Sequence, residues 1–110
     1  MMKTSPLPKD ADALLAFAES VATALSEKSE LLGVTSEIEA PLRAAIAAAT
    51  FAGDMYVAVL AHAQKSPVGR SYLAEAKKRR DRSVEQLRRR VTRSIRHLSR
   101  LDEEELSTCH

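Results

Sequence analysis

The chain has 110 residues and a net charge of +2, and this length predicts one domain that is large enough to bury a core. Its single cysteine, Cys109, excludes a fold built on disulfides, and its opening segment lacks the apolar core of a signal peptide, so the cytoplasm is the expected compartment. Four aromatic residues, three glycines and four prolines are few, and this composition favours helices over sheets.

The first helix is predicted over residues 10–29, after a short tail at 1–9 that contains two prolines. Asp10 is the predicted N-cap, and Gly33 is the predicted stop signal. Apolar residues recur every three or four positions within this helix, which predicts one buried face. The face consists of Leu14, Phe17, Val21 and Leu25.

The second helix is predicted from Ser36 to about Lys65, with Pro41 in the first turns, where a missing backbone N–H costs least. It is apolar around most of its circumference, and such a helix needs more than one neighbour. Its main apolar face consists of Ile38, Leu42, Ala45, Ala49, Tyr56 and Leu60, and a second face beside it consists of Ala44, Ala48, Phe51, Met55 and Val59.

The third helix is predicted to begin between Pro67 and Ser71 and to end at about Leu101. Four acidic residues follow at 102–105. Their charge has the wrong sign for the C-terminal end of a helix, which predicts fraying there and an acidic tail over 102–110. The helix carries an apolar stripe with a cationic stripe opposite. The apolar stripe is Leu73, Val84, Leu87, Val91, Ile95 and Leu98, and the cationic stripe is Lys78, Arg82, Arg89, Arg93, Arg96 and Arg100.

Together the elements predict an all-α fold over 10–101, a three-helix antiparallel bundle with a long hairpin of the second and third helices. Each of these two would span about 45 Å and the first helix only about 28 Å, so one end of the hairpin would lack a third helix. An uncovered apolar patch is typical of an interface, which predicts a two-fold symmetric homodimer. Two alternatives stay open: residues 1–9 fold back over the patch, or the helices end sooner. The predicted interface is Met55, Tyr56, Val59, Leu60, Tyr72 and Leu73.

Charge is distributed unevenly along the chain. Residues 1–66 carry five Lys/Arg against eight Asp/Glu, whereas residues 67–101 carry twelve against three. The cationic stripe is either an outer face exposed to solvent or a surface that binds a polyanion, since Arg suits bidentate contact with phosphate or carboxylate. Acids such as Glu37, Glu39 or the 102–105 run could instead hold the arginines. Arg80 falls within the apolar face, where either its stem packs and its head reaches water, or it pairs across a subunit interface.

The sequence offers little for catalysis. Its histidines and cysteine lack zinc-ligand spacing, no glycine-rich phosphate loop or GxSxG motif occurs, and the apolar faces carry no carboxylates for a di-iron site. His62 is interpreted as a packing or interface residue. We therefore expect no enzymatic activity, metal, cofactor or small-molecule substrate. We also expect no role at a membrane, because no uninterrupted apolar run approaches about 20 residues.

Two functions remain from the sequence. The favoured one is protein–protein interaction or self-assembly without catalysis. The alternative is nucleic-acid binding through the basic helix at 77–100. Such binding would be weak and non-specific, because no helix-turn-helix, zinc finger or aromatic platform is present.

Over about residues 13–98 the chain resembles a group of bacterial helical-bundle proteins of unknown function. The similar features are an aromatic residue inside the first helix, a Gly-hydrophobic-Thr turn, an alanine-rich helix, and an Arg-Ser start to the next helix with spaced cations. In this chain they are Phe17, Gly33-Val34-Thr35, Arg70-Ser71, Lys77, Arg82 and Arg88. The resemblance implies a helical bundle that corresponds to the N-terminal portion of longer relatives. It implies no role for any residue.

Overall fold

The computed structural model describes the backbone of three segments and most of their side chains. The backbone ranges are 7–32, 36–63 and 67–108, and the side-chain ranges are 7–28, 37–63 and 69–100. Within the backbone ranges the chain forms three α-helices and no strand: α1 (Ala11–Leu32), α2 (Ser36–Ala63) and α3 (Pro67–Thr108). Three helices without a strand over the described backbone confirm the all-α prediction, and all three pairs of helices are in contact. The molecule measures 66 × 29 × 15 Å, and its length follows from the 42 residues of α3.

Several features named from the sequence lie outside the described residues. They are the tail at 1–6, the turn at 33–35, the Ser36 side chain, the side chains of 102–105, and Cys109 with His110.

The start of α1 confirms the predicted N-cap. The Ala13 N–H donates a hydrogen bond to Asp10 Oδ2 over 3.1 Å, and the Leu14 N–H donates to the Asp10 carbonyl oxygen over 2.9 Å. A side-chain oxygen thus satisfies one of the N–H groups that an α-helix leaves unpaired in its first turn. The described helix ends at Leu32, directly before the predicted stop signal.

The end of α3 corrects the sequence prediction. The helix was expected to end at about Leu101, but it continues to Thr108 through the acidic run. No glycine or proline occurs in that run, and glutamate is a good helix former. An unfavourable dipole contribution of about 0.3–1 kcal/mol per exposed charge does not end the helix. The boundary at residue 102 is therefore not a boundary in secondary structure.

The core lies where all three helices meet, and its largest buried side chains are leucines. Alanines fill the space between them, which lets the helices approach closely. The predicted place of Phe17 in this core is wrong, because its side chain is 38% exposed. The buried face passes through Ala18 and Ala22 instead, and one residue along a helix turns the side chain by about 100°. The buried cluster is Leu14, Ala18, Val21, Ala22, Leu25, Leu42, Ala45, Ala49, Leu87 and Val91.

The start of α3 packs tightly on the end of α2. A Cβ atom added at Gly69 would lie 2.7 Å from the Ala63 Cα, which is closer than real Cβ contacts. Ala63 is itself buried. Gly69 therefore sets how closely the two long helices approach at this end.

Candidate interaction surfaces

An open groove of about 650 Å³ runs between α2 and α3 and is called here the apolar groove. Its lining comes from these two helices, and no described residue of α1 contributes to it. The second apolar face of α2 was predicted to need another neighbour, and the described chain provides none on this side. The groove is lined by Ala48, Phe51, Ala52, Met55 and Val59 of α2 and by Tyr72, Glu75, Ala76, Arg79, Arg82 and Ser83 of α3.

Large apolar side chains on this surface are open to solvent. Phe51 is 67% exposed, Tyr72 is 64% exposed and Met55 is 46% exposed. Single exposed apolar residues are common on soluble proteins, but a contiguous group is typical of a binding surface. These three line the same groove.

The structure brings together half of the predicted interface. Met55, Val59 and Tyr72 line the apolar groove, whereas Tyr56, Leu60 and Leu73 do not. Tyr56 and Leu73 are partly buried, and Leu60 is 38% exposed outside the groove. The predicted set therefore mixes two faces of the α2–α3 pair.

Arg80 is held within its own chain. Its guanidinium carbon lies 4.4 Å from the centroid of the Tyr56 ring, in cation–π geometry. Its Nη2 atom also lies 3.4 Å from Asp81 Oδ1. The Tyr56 ring is thus covered by an arginine of its own chain.

Phe51 and Arg79 belong to the groove but not to the interface predicted from the sequence. The signal for Phe51 was present, since Phe51, Met55 and Val59 recur at four-residue spacing on the second apolar face of α2. Arg79 gave no comparable signal among the many cations of α3. It faces the groove because it lies seven residues after Tyr72 and so on the same side of the helix.

A second concave surface, of about 870 Å³, lies between α3 and the segment that precedes α1. It is called here the arginine surface and is defined by Lys9, Arg89, Arg93, Arg96 and Arg100. All five side chains are exposed. The remaining lining residues are Leu7, Glu85, Arg88 and Thr92.

Predicted acidic partners do not hold these arginines within the described side chains. Glu39 pairs with Arg43 on its own helix, with Oε2 2.6 Å from Nε. Glu37 lines a small cleft with Arg90 and Arg93 but forms no ion pair with a described side chain. The carboxylates of 102–105 lie outside the described side chains.

Arg88 fixes one wall of the arginine surface. Its Nη1 donates a hydrogen bond to the Pro8 carbonyl oxygen over 2.6 Å, and its Nη2 donates to the Lys9 carbonyl oxygen over 2.8 Å. Arg88 is partly buried, and charge-assisted bonds of this kind are stronger than neutral ones. They place Lys9 beside α3. The sequence gave no signal for these contacts, because 79 and 80 positions separate the partners.

The predicted cationic stripe is divided in the structure. Lys78 and Arg82 are exposed on α3 but do not line the arginine surface, and Arg82 borders the apolar groove instead. The C-terminal part of the stripe therefore lines a concave surface together with the chain before α1, whereas the N-terminal part does not.

The side chains of His62, His97 and Ser94 line neither of the two surfaces. Among the described side chains, no group of three or more His, Cys, Asp or Glu residues could hold a metal ion. His62 is exposed, and the buried Nε2 of His97 has no hydrogen-bond partner among them. Ser94 is fully buried, and its hydroxyl donates to the Arg90 carbonyl oxygen over 2.7 Å.

By length and composition alone, α2 could cross a lipid bilayer over Glu37–Ala63, and 11% of the 18-residue window that meets this criterion is buried in the fold. The charged residues in this stretch are too few to lower its average hydropathy below that of a membrane span, so the expectation of no role at a membrane stays a prediction. Core helices of soluble proteins meet the same criterion. Asp54 lies about 6 Å from the middle of the stretch, where a carboxylate costs about 2.5–3.5 kcal/mol.

Comparison with protein-family models, with curated proteins and with solved structures finds no match for this chain. The resemblance to bacterial helical-bundle proteins therefore stays a prediction. A function has to be inferred from the two surfaces described above.

Proposed function

We propose that this protein is a non-enzymatic self-assembly module whose two copies join through their apolar grooves. The observation that carries this proposal is the exposure of Phe51 and Tyr72, 67% and 64%, on a face that no described residue of α1 covers. Aromatic side chains dominate the energetics of protein interfaces, because each removes a large apolar area from water. A second copy would cover both rings.

Charges on the groove rim favour a second copy over an unrelated partner. Glu75 and Arg82 both line the groove and lie seven residues apart on α3, a separation of about 10.5 Å along the axis. A two-fold axis midway between them brings Glu75 of each copy toward Arg82 of the other, and it also brings the two Arg79 side chains near each other, so their guanidinium groups have to point apart. An isologous interface requires such self-complementarity, and the pairing would fix its register.

The proposal includes an antiparallel arrangement of the helices. Its support is the order of residues along the groove. Val59 of α2 and Tyr72 of α3 both line the groove, and each lies only three or four residues from the Ala63–Gly69 contact. Ala48 and Ser83, farther from that contact in both helices, line the same groove. This order is expected when α2 and α3 run in opposite directions.

The test is a pair of substitutions in the groove, Phe51→Ser with Tyr72→Ser. The matched control is Val57→Ser, because Val57 is also on α2 and 63% exposed but does not line the groove. In size-exclusion chromatography with light scattering at tens of micromolar, we expect the wild-type protein and the control to have twice the mass of one chain. We expect the double variant to be monomeric with unchanged helical circular dichroism.

Two outcomes would contradict the proposal. A monomeric wild-type protein would remove self-assembly altogether. Loss of the dimer in the Val57→Ser control, with retention in the groove variant, would assign the interface to another face of α2.

The proposal also places the protein in the soluble fraction of the cell, consistent with a cytoplasmic location, because dimerisation would cover the apolar face of α2. Cell fractionation followed by carbonate washing of the membranes tests this point. Protein that stays with the washed membranes would indicate that α2 enters the bilayer instead of joining a second copy.

A further inference from the structure

We propose that the arginine surface binds the phosphate backbone of double-stranded nucleic acid without reading its base sequence. This inference concerns a different face from the apolar groove and goes beyond self-assembly. It rests on the exposure of the arginines and their lack of partners among the described side chains, on the fixed position of Lys9, and on the spacing of the cations along α3.

Four other arginines have partners among the described residues, whereas Arg70, Arg79 and Arg82 are exposed and form no ion pair there. Arg43 pairs with Glu39, Arg80 stacks on Tyr56, and Arg88 donates to two carbonyl oxygens. With its oxygen turned toward Arg90, the Gln86 amide accepts from that guanidinium over 3.2 Å.

The four arginines of the arginine surface differ from the paired ones. Within the described side chains they have neither an ion pair nor a hydrogen bond to a carbonyl, and all four are exposed. Their donors are therefore available to an anion in solution, and a guanidinium matches the two oxygens of a phosphate.

The local charge is strongly unbalanced. Six cations line the concave surface, Arg88 among them, and Glu85 is the only acidic residue among the described residues that line it. Cations held on one concave face raise the local concentration of a polyanion and its rate of association. Lys9 adds to this charge at a fixed place, because Arg88 holds the carbonyl oxygens of Pro8 and Lys9.

The spacing of the arginines suits a long ligand with many charges. Relative to Arg89, the other three lie about 6, 10.5 and 16.5 Å farther along the helix axis. A nucleic-acid duplex carries about one negative charge per 1.7 Å of its axis, or about ten over this length. Four arginines in a row can therefore contact separate phosphates of one duplex.

A duplex fits better than a single strand or a membrane surface. Proteins that bind single strands stack the bases on aromatic side chains, and no aromatic residue of the described chain lines this surface. Helices that bind membrane surfaces insert a large apolar face, and Leu7 is the only large apolar residue among the described residues of the lining. Phosphate contact without base contact gives weak, non-specific binding that falls steeply with salt.

The test is fluorescence anisotropy of a labelled DNA duplex, titrated with the full-length protein between about 50 and 200 mM salt. Four phosphate contacts predict a slope of about −3.6 for the logarithm of the binding constant against that of salt. We expect Arg89→Gln with Arg93→Gln and Arg96→Gln to weaken binding at least tenfold at the lower salt and to reduce the slope by about 2 to 3.

The control removes the same number of charges outside the arginine surface, by Arg43→Gln with Arg70→Gln and Lys77→Gln. We expect its affinity to stay within about twofold of the wild-type value. Equal weakening in both triple variants would overturn the site, because net charge alone would then explain binding.

Other results would also overturn the proposal. They are the absence of binding to the duplex at 50 mM salt, tighter binding to the matching single strand, and tighter binding to vesicles of anionic lipid. Unchanged circular dichroism of both triple variants is expected, because the replaced side chains are exposed. Dimer mass measured on the same samples separates this proposal from self-assembly.

Discussion

The α2–α3 pair has a part that α1 covers and a part that it leaves open, and the two parts use different side chains. In the covered part, Leu42 and Leu87 are fully buried with small alanines around them. In the open part, Phe51 and Tyr72 keep about two-thirds of their surface exposed. The rings of Phe51 and Tyr72 are therefore not buried in the core of their own chain.

This difference explains why α2 is so apolar. Its buried positions are mostly alanines, such as Ala45 and Ala49, which allow close helix packing. Its larger residues, Phe51 and Met55, lie on the face that lines the apolar groove. One face of the helix therefore stabilises the fold, and the other is available for association.

The largest expected loss of stability comes from a substitution in the covered part, and the same substitution type in the open part should have almost no effect. Leu87→Ala removes a fully buried side chain and should lower the free energy of unfolding by about 2–5 kcal/mol. Phe51→Ala should change the stability of the monomer by less than about 0.5 kcal/mol. Urea denaturation at low micromolar protein measures both. A larger loss for Phe51→Ala would show that this ring belongs to the core.

A smaller effect is expected at the contact between the two long helices. Gly69→Ala places a Cβ 2.7 Å from the backbone Cα of Ala63, so the helices must shift apart. We expect a loss of about 1–3 kcal/mol in thermal or urea unfolding, as for other overpacked sites. A neutral or stabilising result would contradict the close approach.

A substitution at the N-cap of α1 measures how much the cap contributes to stability. Asp10→Ala removes the acceptor of the Ala13 N–H and should cost about 1 kcal/mol in urea denaturation. Asp12→Ala is the matched control, since Asp12 is an exposed acid of the first turn whose helix-dipole contribution is about 0.3–1 kcal/mol. Equal losses would assign the effect to charge and not to the cap.

The smallest expected effect is a gain. Apart from its chain neighbours and the nearby backbone of α2, a Cβ added at Gly53 meets no described atom within 4 Å, and a glycine inside a helix is unfavourable by about 0.5–1 kcal/mol relative to alanine. Gly53→Ala should raise the free energy of unfolding by this amount while leaving the dimer intact. Destabilisation in urea would show that a neighbour occupies this position.

The sequence predicted a helix end well where a single residue marks that end. Asp10 marks the start of α1, and Gly33 follows its described end. The end of α3 was missed because four acidic charges were given more weight than the helix propensity of glutamate. Phe17 was placed in the core because spacing alone cannot distinguish adjacent faces of an alanine-rich helix.

The surfaces were predicted less completely, because they depend on which helix covers which face. The spacing of Phe51, Met55 and Val59 identified an apolar face, but only the position of α1 shows that this face stays open. The division of the cationic stripe depends on Arg88 and its two carbonyl partners. Contacts across such a long stretch of sequence leave no periodic pattern.

Self-association through the apolar groove is the central claim, and sedimentation equilibrium of the wild-type protein tests it most directly. Measured from low to high micromolar concentration, the average mass should rise from one chain of 12.1 kDa toward twice that value. A mass that stays at one chain across the whole range would contradict the claim.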